Sequence, residues 1–327
     1  MTRCLCCGKA IQENAQGMAL APAWHKSCIR RFFGVNTLPE LDISNASLTR
    51  IASESTRKGY TVPGVQKKMS LHLSSEGGIS RLTLVNYPTG FILKPQTEEY
   101  PALPEAEYLV MQMARETGIA TVPFALIQME DPAGEKAYIT KRIDRRFPKK
   151  DAPAELLAME DFCQLEEHLT ENKYLGSYER CAKLITRYSV QRGLDLSELF
   201  LRIVFSFAVG NSDMHLKNFS LIETSPGSGS YVLSQAYDLL PVNLIVPADP
   251  DQMALTLNGK KRNLHRKDFL RFADNAGISP EAAEKMIRKT VSMEGKYLEL
   301  CDQSYLPAEM KQDFHALIQS RISVLAG

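Results

Sequence analysis

Apolar and polar positions alternate through KMSLHL, Lys68 to Leu73, where Met69, Leu71 and Leu73 share one face. The same period of two returns in RLTLV, and FILK, FALIQM and YIT follow as further short apolar runs, so this part of the chain predicts an antiparallel sheet. One helix interrupts it. In PEAEYLVMQMARETG, Pro104 suits the first turn, Ala106, Val110, Met113 and Ala114 form a core stripe, and Gly118 can end the helix. The C-terminal half reads mainly helical. SELFLRIVFSFAVG is expected to start at Ser197 as N-cap, with Glu198 at the positive helix end and Leu199, Ile203, Val204 and Phe207 buried. SPEAAEKMIRKT carries a start signal in Ser279 and Pro280. FSLIE and YVLSQAY flank the turn-residue cluster TSPGSGS, Thr224 to Ser230, and read as a hairpin.

Composition narrows the classes. The 327 residues are 44% hydrophobic, enough for a buried core and long enough for more than one lobe. Basic and acidic residues nearly cancel at a formal charge of +1, which argues against a large nucleic-acid surface. No apolar run approaches the roughly 20 residues of a membrane helix, and MTRCLCCGKA lacks the apolar segment of a signal peptide, so a cytoplasmic protein without a membrane partner is expected. Three of the seven cysteines fall in the first seven residues, a distribution closer to a metal site than to a disulfide framework. Cys4 and Cys7 form one pair with two residues between them; His25 and Cys28 form another. Together they can close a tetrahedral, structural Zn2+ site, with free thiols in a leader as the alternative. Cys6 could replace Cys4 or simply be buried.

The richest chemistry lies in GNSDMHLKNFSL, Gly210 to Leu221, directly after the apolar helix. A hairpin folding near Ser228 would set Asn218 opposite Asp238, about 5 Å apart if in register, where the two could share Mg2+. Asp213 precedes Asn218 by five positions, the spacing of a kinase catalytic loop whose Asp accepts the substrate hydroxyl proton. Lys94 ends an apolar strand and needs a partner or ligand, for which Glu107 is a candidate. Such a Lys–Glu pair holds the phosphates of ATP in protein kinases; a surface ion pair is the plain alternative. TVPGVQKK, Thr61 to Lys68, is a weak phosphate-loop signal by itself.

NSDMHLKNFSL with YDLLP, FILKP, TVPGVQKKMSLHL and EDFCQL (Glu160 to Leu165) resembles the HipA family of bacterial Ser/Thr kinase toxins, from about Thr61 to the C-terminus. The resemblance implies an α+β, two-lobed protein-kinase-like fold, with an N-lobe sheet and one helix at 36–143 and a mainly helical C-lobe at 144–327; the Cys/His segment read from the spacing, 1–35, precedes them. It also implies ATP with Mg2+, phosphoryl transfer to protein Ser or Thr, and a partner antitoxin. Lys94, supported by Glu107, would contact the phosphates with Gly64 and Gln66 of the loop. Asn218 and Asp238 would hold Mg2+, and Asp213 would orient the acceptor hydroxyl. His215 could brace the loop or act in catalysis, and Lys217 could neutralise the transferred phosphate.

Thr61 matches the autophosphorylated position of that loop, whereas Pro63 replaces the second hydroxyl residue found in short, HipT-like relatives. KRIDR, Lys141 to Arg145, departs from the usual Glu-Arg-Phe-Asp-Arg hinge. Adenine would still be bound through the backbone of Lys141 and Ile143, and Asp144 could reach the ribose. Longer members begin with a domain resembling the small HipS-like protein found beside HipT kinases; here the cysteine-rich segment stands in its place. Relatives suggest an aminoacyl-tRNA synthetase as the substrate, a HipB-like antitoxin as partner, and DNA contact only through that antitoxin. A catalytically silent nucleotide-binding scaffold is the alternative function. A metal-dependent phosphohydrolase is a third, although it would need more His and Asp ligands near Asp213.

Overall fold

The computed structural model describes residues 2–11, 23–42, 68–76, 79–83, 89–129, 134–147 and 154–327. The chain divides into two compact units, Met1–Tyr108 with Val122–Ile143, and Leu109–Thr121 with Asp144–Gly327. The first unit holds α1 (Lys26–Phe33), β1 (Glu40–Asp42), β2 (Met69–Glu76), β3 (Ile79–Thr83), β4 (Phe91–Lys94), the start of α2 (Leu103–Thr117), β5 (Phe124–Gln128) and β6 (Lys136–Lys141). Its six-stranded sheet runs β1-β3-β2-β4-β6-β5. The strands read from alternation pair antiparallel as expected, but β1 joins parallel to β3, with Glu40 opposite Arg81, so the sheet is mixed rather than wholly antiparallel.

The physical cause of this sheet is visible in its burial. Met69, Leu71, Leu82, Phe91 and Leu93 are all buried, and the aromatic rings of Phe124, Tyr108 and Tyr138 pack together. In α2 the stripe Ala106, Val110, Met113 and Ala114 is fully buried, and Gly118 ends the helix at φ 89°, a left-handed conformation that favours glycine. The Cys/His segment is not a compact unit of its own but belongs to the first one: the Leu126 N–H on β5 donates to the Leu5 carbonyl at 2.8 Å.

The second unit begins with the end of α2 and a small hairpin, β7 (Arg145–Arg146) with β8 (Glu155–Leu156). Then come β9 (Met159–Asp161), α3 (Phe162–Leu165), α4 (Tyr178–Tyr188), α5 (Arg192–Ala208), β10 (Ser220–Glu223) and β11 (Tyr231–Leu233). It closes with α6 (Val242–Ile245), α7 (Arg266–Asn275), α8 (Pro280–Ser292), α9 (Glu294–Asp302) and α10 (Ala308–Ala326). Helix α5 is its axis, with Leu199, Phe200, Ile203, Val204, Phe205, Phe207 and Ala208 all buried.

That helix starts six residues earlier than expected. Gln191 is its N-cap, while Ser197 lies inside and donates to the Gly193 carbonyl. The acid at the positive helix end is Asp195, buried and accepting from Ser189 Oγ, Gln191 Nε2 and the Leu233 N–H at 2.6–2.9 Å. Glu198 instead pairs with buried Arg202 at 2.8 Å. Helix α8 does begin at the expected signal: Ser279 accepts from the Ala282 N–H, and Pro280 occupies the first turn. Among the described residues no helix is long and apolar enough to cross a membrane.

Candidate active site

In the first unit Lys94 and Glu107 meet. The Nζ–Oε1 distance is 2.6 Å, and the side chains are 4% and 1% exposed. Lys94 ends β4 opposite Tyr138 of β6, whose ring centroid lies 5.3 Å from the ammonium, and Glu107 sits in the second turn of α2. Burying such a pair is a poor way to gain stability, because desolvation offsets much of the attraction. The arrangement therefore has to be explained by something other than folding.

Lys141, at the end of β6, has its own N–H committed to the Pro123 carbonyl at 3.0 Å, so an adenine contact through its backbone is restricted to its carbonyl. Burial also lowers the pKa of its ammonium. Ile143 is half-buried and closes the first unit. Thr61, Gly64 and Gln66 lie outside the described residues.

In the second unit the segment after α5 folds into a loop pinned from several sides. Gly210 turns it at φ 67°, where a Cβ would lie 2.7 Å from Leu317 Cδ2. Fully buried Asn211 then accepts from the Asp213 N–H at 3.2 Å. Ser212 donates to Asp249 at 2.6 Å, and Asn243, itself held by Arg321, donates to Ser212. Asn218 Nδ2 donates to the Asp213 carbonyl at 2.8 Å, which commits its NH2 group to the loop and leaves the side-chain oxygen as the atom suited to a hard cation. Asp213 itself keeps 42% of its side chain exposed and accepts from the Tyr174 hydroxyl, with His215 Nε2 3.9 Å away. His215 is buried, edge-on to the Tyr174 ring at 5.1 Å. Burial, and after it the Asp213 carboxylate, push the Tyr174 pKa upward, so its proton stays on this bond.

Two expected roles meet competing contacts. Lys217 forms an ion pair with Asp161 at 2.8 Å, and Asp144 is gripped by Arg145 at 2.8 Å. Asp161 belongs to the EDFCQL motif, whose function becomes plain here: its carboxylate also caps α3 in a reciprocal bond pair with Gln164. Beside it, Phe162 stacks on Phe219 and Ser220 of β10 pairs with Asp161. The motif thus clamps the loop's exit strand.

The hairpin forms, but about a different centre. Leu221 pairs with Leu233 and Glu223 with Tyr231, which places the symmetry point at Gly227 and Asn218 in line with Ala236 instead of Asp238. The turn sets this register: the Thr224 N–H donates to the Ser230 carbonyl, and Glu223 accepts from the Gly229 N–H at 2.9 Å. Asp238 lies beyond the ladder, half-buried, at φ 60°, a strained conformation for a residue with a Cβ. Before it, Tyr237 donates to the Lys217 carbonyl and bonds Ser220. Sequence reasoning missed Tyr174, Asp161 as the Lys217 partner, and the Ser212–Asp249–Asn243 support. Of these, Asp161 and Ser212 stand in the motifs EDFCQL and NSDMHLKNFSL, whereas Tyr174, Asn243 and Asp249 carried no signal.

This α+β arrangement is the fold of the HipA and CtkA kinases. Compared with a HipA chain of Shewanella oneidensis, solved in a complex of HipA, HipB and operator DNA, the TM-score is 0.66 at 18% identity, covering 80% of this chain and 64% of that one. Against the proinflammatory kinase CtkA of Helicobacter pylori it is 0.51 at 14% identity, covering 74% and 86%. The family model of the HipA-like C-terminal domain matches residues 60–296, and the chain belongs to that family. A Haemophilus influenzae protein named "Putative kinase" is 27% identical over 82% of both chains. "Putative kinase Y4dM" of Sinorhizobium fredii is 29% identical over 71% of this chain and 57% of its own length.

Proposed function

We propose that the chain is an ATP- and Mg2+-dependent protein serine/threonine kinase, the toxin of a HipA/HipT-like toxin–antitoxin pair. The observation that carries this reading is the buried Lys94–Glu107 pair in a chain of this family. Its burial is costly for folding yet suited to holding a phosphate-directed ammonium in one place. Asp213, exposed at the end of a rigid loop, accepts the acceptor hydroxyl's proton and orients its oxygen for in-line attack. Asn218 and Asp238 would supply oxygen donors to Mg2+, which would neutralise charge on the nucleotide phosphates. His215 braces Asp213 and Tyr174, and Lys217 reaches the transferred phosphate by leaving Asp161.

Adenine is received through the Lys141 carbonyl and the Ile143 backbone, Asp144 serves the ribose, and Gly64 and Gln66 serve the phosphates. The protein substrate proposed is translation-related, such as an aminoacyl-tRNA synthetase. A HipB-like antitoxin, and a HipS-like small protein, are the proposed partners. Thr61 is proposed as a regulatory autophosphorylation site, because a dianionic phosphate close to bound ATP would repel the nucleotide. The test incubates the purified full chain with radiolabelled ATP and Mg2+, follows phosphoserine and phosphothreonine, and measures ATP binding separately. Transfer by wild type and its loss by at least about 10^2-fold in Asp213→Asn are expected, with peptide masses placing phosphate on Thr61 only in the active protein. ATP binding without any transfer in wild type would replace this reading with the silent scaffold.

A further inference from the structure

The four donors outside this chemistry, Cys4, Cys7, His25 and Cys28, come together in the first unit with their ligand atoms all within 4.8 Å of one another. A tetrahedral zinc ion needs edges of about 3.6 Å between nitrogen and sulfur and about 3.8 Å between sulfurs. His25 Nδ1 lies 3.4 Å from Cys7 Sγ and 4.0 Å from Cys28 Sγ. The other ring nitrogen, Nε2, is 3.2 Å from the Ala10 carbonyl; donating there fixes the tautomer that points a lone pair at the thiols. The His25 N–H approaches Cys4 Sγ at 3.4 Å. Three thiolates around Zn2+ leave one net negative charge, and Arg31 stands against Cys28 Sγ at 3.8 Å to meet it.

The surroundings show what such an ion would hold. The Cys4–Lys9 turn is closed by the Gly8 N–H on the Cys4 carbonyl, and Leu5 bonds both the Ala23 carbonyl and the β5 amide of Leu126. On the other arm, fully buried Trp24 packs against Phe32 and Phe33, and those rings contact Phe91 of β4, the strand that ends in Lys94. Neither arm has a large apolar core of its own, which is the situation in which a metal supplies folding free energy. Cys6, buried beside them, is outside the four-membered donor set.

We propose that Cys4, Cys7, His25 (through Nδ1) and Cys28 bind one structural zinc ion that ties the N-terminal segment to β4 and β5, with Cys6 not a ligand. Four protein ligands leave no open position, so the ion braces and does not catalyse. The experiment uses the full chain and no phosphoryl-transfer readout. Metal analysis is expected to give about one zinc per chain, and Co2+ exchange should produce the absorption of a tetrahedral thiolate site. Trp24 is the single tryptophan, so chelation should red-shift its emission and speed amide exchange in β4 and β5. Cys28→Ser should lose the metal and Cys6→Ala should keep it. Metal-free native protein without a cobalt spectrum would overturn the proposal, as would metal loss in Cys6→Ala equal to that in Cys28→Ser. An unchanged Trp24 emission after complete metal removal would overturn the bracing role.

Discussion

Lys94 with Glu107, and Asp213 with its loop, place a charge by opposite means. The first is a two-member pair on a strand and a helix, sealed from water on both sides, so burial and regular backbone do the positioning. The second is an exposed carboxylate on irregular backbone. Its position is delegated to buried neighbours, Asn211, His215 and Asn218, which are 0%, 5% and 3% exposed. On the proposed reading, Lys94 faces only a phosphate and can be walled in on every other side, whereas Asp213 would receive a protein's hydroxyl and has to stay open. The loop therefore needs a deeper set of supports than the pair does.

Removing the open carboxylate should cost the most activity and the least stability. Asp213→Asn and Asp238→Asn are each expected to lower phosphoryl transfer by about 10^2–10^4-fold with the melting transition unchanged, as thermal scans alongside transfer assays would report. Both substitutions keep the main-chain carbonyl and tolerance of left-handed backbone, so the Asn218 bond and the φ of 60° at Asp238 survive. Unfolding of Asp213→Asn would show that the loop, too, depends on its charge.

The sealed pair should behave the other way. Glu107→Gln removes the carboxylate that offsets a buried ammonium and is expected to destabilise by about 3–5 kcal/mol, measured by urea unfolding. The double variant Lys94→Met, Glu107→Leu should recover most of that loss while ATP binding stays absent. Recovery of stability without function is the signature of a pair kept for its ligand. If the double variant binds ATP normally, the pair is structural after all.

Gly210→Ala tests the support of the open loop. The new methyl group would press on Leu317 Cδ2 at 2.7 Å and on Asn243 Cβ at 3.3 Å, in backbone that disfavours any side chain. A destabilisation of about 1–3 kcal/mol is expected, with transfer falling because Asn243 also holds Ser212.

The same contrast decides what could be read from the chain. A lysine ending the apolar strand FILK and a glutamate on an apolar helix stripe are each anomalous in a regular pattern, and the anomaly pointed to their partnership. Ser279 with Pro280 was legible because a cap acts within one turn. Ser197 misled, since the stronger anchor, Asp195, draws its donors from Ser189, Gln191 and Leu233, the last far along the chain. The hairpin was visible in TSPGSGS, yet its register depends on which of several small residues closes the turn, and a shift of the centre by one residue moved Asn218 away from the Asp238 register. Tyr174 left no trace at all: it lies 39 positions before Asp213, and nothing in NKYLGS says which acid its hydroxyl will meet.

Tyr174 also supplies the finest test of the comparison. Its hydroxyl donates to Oδ1 of Asp213, the kind of bond an incoming serine or threonine hydroxyl would make on the proposed reading, so such an acceptor would compete for that carboxylate. A net hydrogen bond to a charged group is worth about 1.5–3 kcal/mol, part of which the acceptor recovers when it replaces the tyrosine. Tyr174→Phe keeps the ring against His215 and beneath the Lys173 and Lys261 ammoniums, so stability should change little. Transfer at low acceptor concentration is then expected to rise by about 2–10-fold, with the gain in KM for the protein acceptor and kcat nearly constant. A fall in kcat of more than about tenfold would reverse the assignment and make the tyrosine another support that aims Asp213.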